Sequence, residues 1–184
     1  MRGGVNLAQT TMFRWGWAIT ATTVAVTIVL QGDLTHFTWW QLYQFGVYAG
    51  LAAAGKHHRF VVTFAVQSLL TMLGVLAMSA FSCGVLVKAH NTWGALYVPL
   101  NFAVHYMPLL VVLAAPPSRP PFRPTLQALQ GGAVFLAYVT HHNATVVYEC
   151  RLPYQLAAVG LVPVVLLLVY HPALRVLVWL CHQP

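Results

Sequence analysis

Asn101 and His105 lie four residues apart in LNFAVHYMP, so on a helix they share one face. An imidazole can serve as a general base or a haem ligand, and an asparagine amide can orient that base or donate to an oxyanion. The alternative is that both side chains tie neighbouring helices together by hydrogen bonds. A second polar set, Thr38, Trp39, Trp40 and Gln41, stands in THFTWWQLYQ. A threonine hydroxyl next to a base becomes a nucleophile, whereas an isolated threonine in an apolar helix bonds back to its own backbone. The two tryptophans read as an interfacial aromatic anchor. The third set is His141, His142 and Asn143. Histidines on different helices can hold a haem, and His105 with His141 or His142 would be the pair. His36, His57, His58, His90 and His171 are scattered without matched depths, so neither haem nor a metal is expected. Asn143-Ala-Thr145 fits a glycosylation sequon, but it falls at the edge of an apolar stretch, so modification is not expected. No Gly-rich phosphate loop, HExxH, GxSxG or carboxylate pair occurs.

The elements that must position these residues are apolar helices. Of 184 residues, 59% are hydrophobic and 6% charged, against about 25% charged in soluble domains. Marking the charged residues leaves six uncharged stretches, roughly 15–31, 35–54, 60–87, 92–115, 125–148 and 152–174. Most are near the roughly 20 residues a membrane helix needs, and none shows the alternation of a β-barrel strand. Short separators, QGDLT, GKHHR, KAHN, PPSRPPFRP and ECRLP, make sequential helices antiparallel neighbours. The expectation is an all-α integral membrane bundle of about six spans forming one domain over 1–184, with a short amphipathic tail over 175–184.

Charge fixes the expected orientation. Arg2, Arg14, Lys56, Arg59, Arg119, Arg123 and Arg175 fall on one side of a six-pass arrangement, and Lys88 and Arg151 on the other with both acids, Asp33 and Glu149. By the positive-inside rule both termini lie on the cation-rich side. The cations are spread singly between apolar stretches, which argues against a nucleic-acid partner and for contacts with anionic lipid headgroups. Cys83, Cys150 and Cys181 form no metal-binding spacing, and their odd number argues against a disulfide framework. No removable leader is expected, because MRGGVNLAQTTM lacks an apolar core followed by a cleavage site.

Taken together, HFTWWQLYQ, the Asn101-x-x-x-His105 element followed by Pro108 and a Leu/Val run ending at Pro116-Pro117, and VVYECRLPYQL resemble segments of the androgen-induced / FAR-17a-like family of six-pass membrane proteins and their bacterial Pr6Pr relatives. The resemblance covers about 13–170. Animal members are threonine hydrolases that cleave fatty-acid esters of hydroxy fatty acids. Carried over by position, it implies Thr38 as nucleophile, His105 as its base and Asn101 as an orienting group.

Two functions follow as expectations. The first is an accessory transmembrane subunit of a larger membrane complex, such as an energy-converting assembly of the mitochondrial inner membrane, with the endoplasmic reticulum or plasma membrane as other locations. The alternative is an intramembrane threonine hydrolase of lipid esters using Thr38 and His105. Either way the expected partners are bound phospholipids, and for the first also other transmembrane subunits. In a six-pass arrangement Thr38 is shallow and His105 deeper, so their contact requires a tilted helix or a later helix start near Pro99.

Overall fold

A computed structural model of the chain describes residues 36–54, 56–80, 83–114 and 119–142, together with 11, 14–16, 18, 19, 21, 22, 25, 149, 160 and 164. The described residues are helical, without a strand among them, so the all-α expectation holds. We number the helices α1 (Phe37–Ala53), α2 (Val61–Ala80), α3 (Gly84–Trp93), α4 (Tyr97–His105), α5 (Met107–Ala114) and α6 (Pro124–His141). Single 3-10 turns occupy His57–Arg59 and Gly94–Leu96. The first and sixth uncharged stretches, apart from isolated positions, and the C-terminal tail lie outside the described residues.

α2 is the central element, because it packs against both α1 and α6 and buries Phe64, Val66, Leu70 and Val75 between its neighbours. Phe64 stacks on Phe45 and Tyr48 of α1, with centroids 5.3 and 5.0 Å away. On the other side α6 approaches closely at Gly131, where an added Cβ would stand 2.9 Å from the Thr63 carbonyl oxygen. The start of α2 is capped from α6. The Gln127 side-chain oxygen accepts from the Val62 N–H at 3.0 Å, and the Thr63 hydroxyl donates to the Gln127 carbonyl at 3.1 Å. First-turn N–H groups have no acceptor inside their own helix, so a buried glutamine from a neighbour satisfies what α2's sequence does not. Phe37 at the start of α1 meets Phe135 and Tyr138 towards the end of α6. α1 therefore runs antiparallel to α6, while α2 runs parallel to it.

Some polar side chains are buried in the largely apolar core while large apolar ones face outward. Gln41, Gln67 and Ser68 are fully buried, while Trp40, Tyr43, Val47, Leu76, Leu110, Leu126 and Leu129 are exposed. By length and composition Val61–Ala80, with a mean hydropathy of 2.0, can cross a membrane, and the pair Gly84–His105 with Met107–Leu113, bent by 41°, would form a second crossing. The remaining described helices fall short of that standard.

Three sequence expectations are corrected. The stretch 60–87 is not one helix: α2 ends at Ala80 and α3 starts at Gly84, so the expected separator KAHN lies inside α3. Lys88 and its polar neighbours His90 and Asn91 point outward while Ala89 and Trp93 are buried. A lysine marks membrane depth without breaking a helix, since it is a good helix former. The stretch 92–115 is likewise divided, by the turn at Gly94 and by the bend between α4 and α5. Gly94 has φ +53, a conformation natural to glycine, and Pro108 cannot donate the N–H that would join the two helices. Finally, Cys83 is disulfide-bonded despite the odd cysteine count.

Candidate functional site

Thr38 is the second residue of α1, and the chain reaches it through His36 in an extended conformation. Its hydroxyl therefore lies in the first turn, where free N–H groups and the helix dipole favour negative charge on a neighbouring oxygen. His105 is the last residue of α4, immediately before the Pro108 bend. The two meet: Thr38 Oγ1 and His105 Nε2 are 3.2 Å apart, and both residues are buried. α4 itself starts at Tyr97, after the turn at Gly94–Leu96.

The other ring nitrogen sets the roles. His105 Nδ1 is 3.0 Å from the main-chain oxygen of Asn101, which only accepts, so Nδ1 carries the proton and donates. In a neutral ring Nε2 is then an acceptor, and the Thr38 hydroxyl donates to it. The group of Asn101 that meets the ring is its main-chain carbonyl, not its side-chain amide. Both imidazole nitrogens are thus engaged, which leaves His105 no lone pair for iron in this geometry. His142 packs against Tyr138 and Trp40, and Asn143 lies outside the described residues. Among the described residues no group of three or more His, Cys, Asp or Glu is placed to hold a metal ion.

Beside the Thr38–His105 pair lies a cavity of about 60 Å³ whose walls include Trp39, Met78, Leu86, Trp93 and Val104. These walls are chiefly apolar. Trp39 is buried in this wall and is not an interfacial anchor, while Trp40 is exposed as an anchor would be. One turn along α1 from Thr38, the Gln41 amide donates to the Ser68 hydroxyl of α2 at 3.0 Å. Gln41 was among the polar residues singled out in the sequence. Ser68, Gln67, Gln127 and Trp93 were not, although a glutamine or serine inside an apolar run is a detectable signal for the first three.

No family model, curated protein or solved structure matches this chain. Fold and site define its class: an all-α protein carrying a buried threonine–histidine pair next to an apolar cavity.

Proposed function

We propose that this chain is an intramembrane hydrolase of lipid esters, with Thr38 as nucleophile and His105 as general base, the fatty-acid esters of hydroxy fatty acids being its substrate class. The observation that carries the reading is the Thr38 Oγ1 to His105 Nε2 contact of 3.2 Å, with Nδ1 anchored on Asn101. Nucleophile, base and a group that orients the base stand in hydrogen-bond sequence, the arrangement that activates an alcohol. The same bundle crosses the membrane six times in this proposal, with both termini on the cation-rich side. Supporting that sidedness, the Phe122 N–H donates to the His58 carbonyl. This gathers the segments of Lys56, Arg59, Arg119 and Arg123 at one end, and Lys88 pairs with Glu149 at the other.

The chemistry proceeds in two halves. Thr38 Oγ1 bonds to the ester carbonyl carbon as its proton passes to His105 Nε2, and the carbonyl π pair moves onto oxygen. When the carbonyl re-forms, the bond to the alcohol oxygen breaks and His105 returns its proton to that oxygen, releasing the hydroxy fatty acid. The acyl-threonine is then attacked by water with His105 again as base, which frees the fatty acid and restores the Thr38 hydroxyl. The imidazolium formed in each half is held by a neutral main-chain carbonyl in place of the usual carboxylate.

Turnover of hydroxy-fatty-acid esters by the purified protein in lipid nanodiscs tests this, comparing wild type with Thr38→Ala and His105→Ala. The expected result is a loss of at least ~10³-fold in either variant. Equal rates in all three would remove the enzyme and leave the accessory-subunit reading.

A further inference from the structure

The mechanism above lacks a donor for the negative charge that forms on the carbonyl oxygen. We infer that the indole N–H of Trp93 is that donor, an inference that rests on the proposed hydrolase. Trp93 ends α3 and is 8% exposed. It shares the wall of one cavity with Thr38 and His105. Its Nε1 is buried and has no hydrogen-bond partner among the described residues. An indole nitrogen only donates, and a buried one ordinarily finds an acceptor within the fold. Here the missing acceptor is supplied by a ligand.

Local structure holds the ring in place. Gly94, with φ +53, follows Trp93 directly at the turn between α3 and α4, and the Trp93 ring packs against Tyr97 with centroids 6.0 Å apart. The donor is thus fixed before substrate arrives, as stabilisation of a developing charge requires. In this inference an ester carbonyl that enters the shared cavity meets both Thr38 and this N–H. As the Thr38 Oγ1 to carbon bond forms, the π pair moves to the carbonyl oxygen, the Thr38 proton moves to His105 Nε2, and the N–H bond to the oxygen strengthens. Trp93 is in this sense a catalytic residue that exchanges no proton.

The test replaces the N–H and keeps the ring. Trp93→Phe, and incorporation of 3-benzothienylalanine at position 93, whose sulfur replaces the N–H in an otherwise similar bicycle, are compared with wild type in the same nanodisc assay. The expected result for both is a kcat lower by ~10²- to 10³-fold, the loss typical of one oxyanion donor, with KM nearly unchanged. Thermal stability should be preserved, because the lost N–H bonds to nothing among the described residues. If Trp93→Phe proves less stable, the benzothienyl variant decides. Wild-type kcat in the benzothienyl variant, alongside activity that Thr38→Ala abolishes, overturns the Trp93 role and leaves the hydrolase intact. Absence of any Thr38-dependent turnover overturns both.

Discussion

The imidazole of His105 is held by the carbonyl of Asn101 at 3.0 Å, and that one bond decides which of its nitrogens faces Thr38. Because the anchor is main chain, the residue type at 101 contributes little to the base. Asn101→Ala is therefore expected to keep turnover within about threefold of wild type, whereas His105→Ala abolishes it. Thr38→Ser, which retains the hydroxyl, should remain active while Thr38→Val does not. Steady-state rates on one ester substrate measure all four. A loss in Asn101→Ala as deep as in His105→Ala would show that the amide, not the carbonyl, does the orienting.

A second prediction concerns the cap that α6 provides for α2. Gln127 accepts from the Val62 N–H, and its amide nitrogen donates to the Phe122 carbonyl, so one buried side chain ties the start of α2 to the backbone just before α6. Gln127→Leu leaves buried backbone groups without partners, at a cost of about 1–3 kcal/mol for such a group. Thermal unfolding in detergent should show the lower midpoint, and a midpoint equal to wild type would mean that water replaces the glutamine.

The site was more legible in the sequence than the helix boundaries. Thr38 and His105 stood out because a polar side chain is expensive in an apolar run, and they do meet. The start of α3 at Gly84 and the turn at Gly94 were hidden because charge does not mark helix ends, and a lysine such as Lys88 continues a helix readily. Position 101 was legible as polar, but its working atom is common to every residue. Trp93 carried no signal, since an indole N–H becomes informative only once its surroundings show that nothing accepts from it. The bond at Cys83 was obscured by parity: three cysteines allow one pair and one free thiol as readily as none.

Glycines on two helices should respond in opposite directions. At Gly131 an added Cβ would lie 2.9 Å from the Thr63 carbonyl oxygen and 3.1 Å from Val66, so α2 and α6 must separate. At Gly50 a Cβ meets nothing within 4 Å. Alanine gains about 1 kcal/mol over glycine in a helix interior, so Gly50→Ala should be neutral or mildly stabilising. In Gly131→Ala the contact with rigid backbone outweighs that gain, and the expected change is destabilising. Chemical denaturation of the two variants side by side checks the contrast, and a stabilised Gly131→Ala would contradict the close approach of the two helices.

Cys83 is disulfide-bonded, and the next residue in the chain, Gly84, donates its N–H to the Glu149 carbonyl at 3.1 Å. Cys150 follows Glu149 in the sequence, so it is the expected partner in preference to Cys181. The Lys88–Glu149 ion pair lies at the same end, where both partners are largely exposed and contribute little themselves. A bond between Cys83 and Cys150 would carry the attachment, at about 2–4 kcal/mol. Non-reducing peptide mapping should give a cross-linked peptide containing Cys83 and Cys150. Cys83→Ser, Cys150→Ser and the double variant should lose the same stability, because each removes the same bond. In the proposed six-pass arrangement the bond faces an oxidising compartment, opposite the cation-rich ends. A cysteine-specific, membrane-impermeant reagent applied after reduction should therefore label these two thiols only from the cation-poor side. Labelling from the other side would reverse the orientation, and a Cys83–Cys181 peptide would reassign the pair.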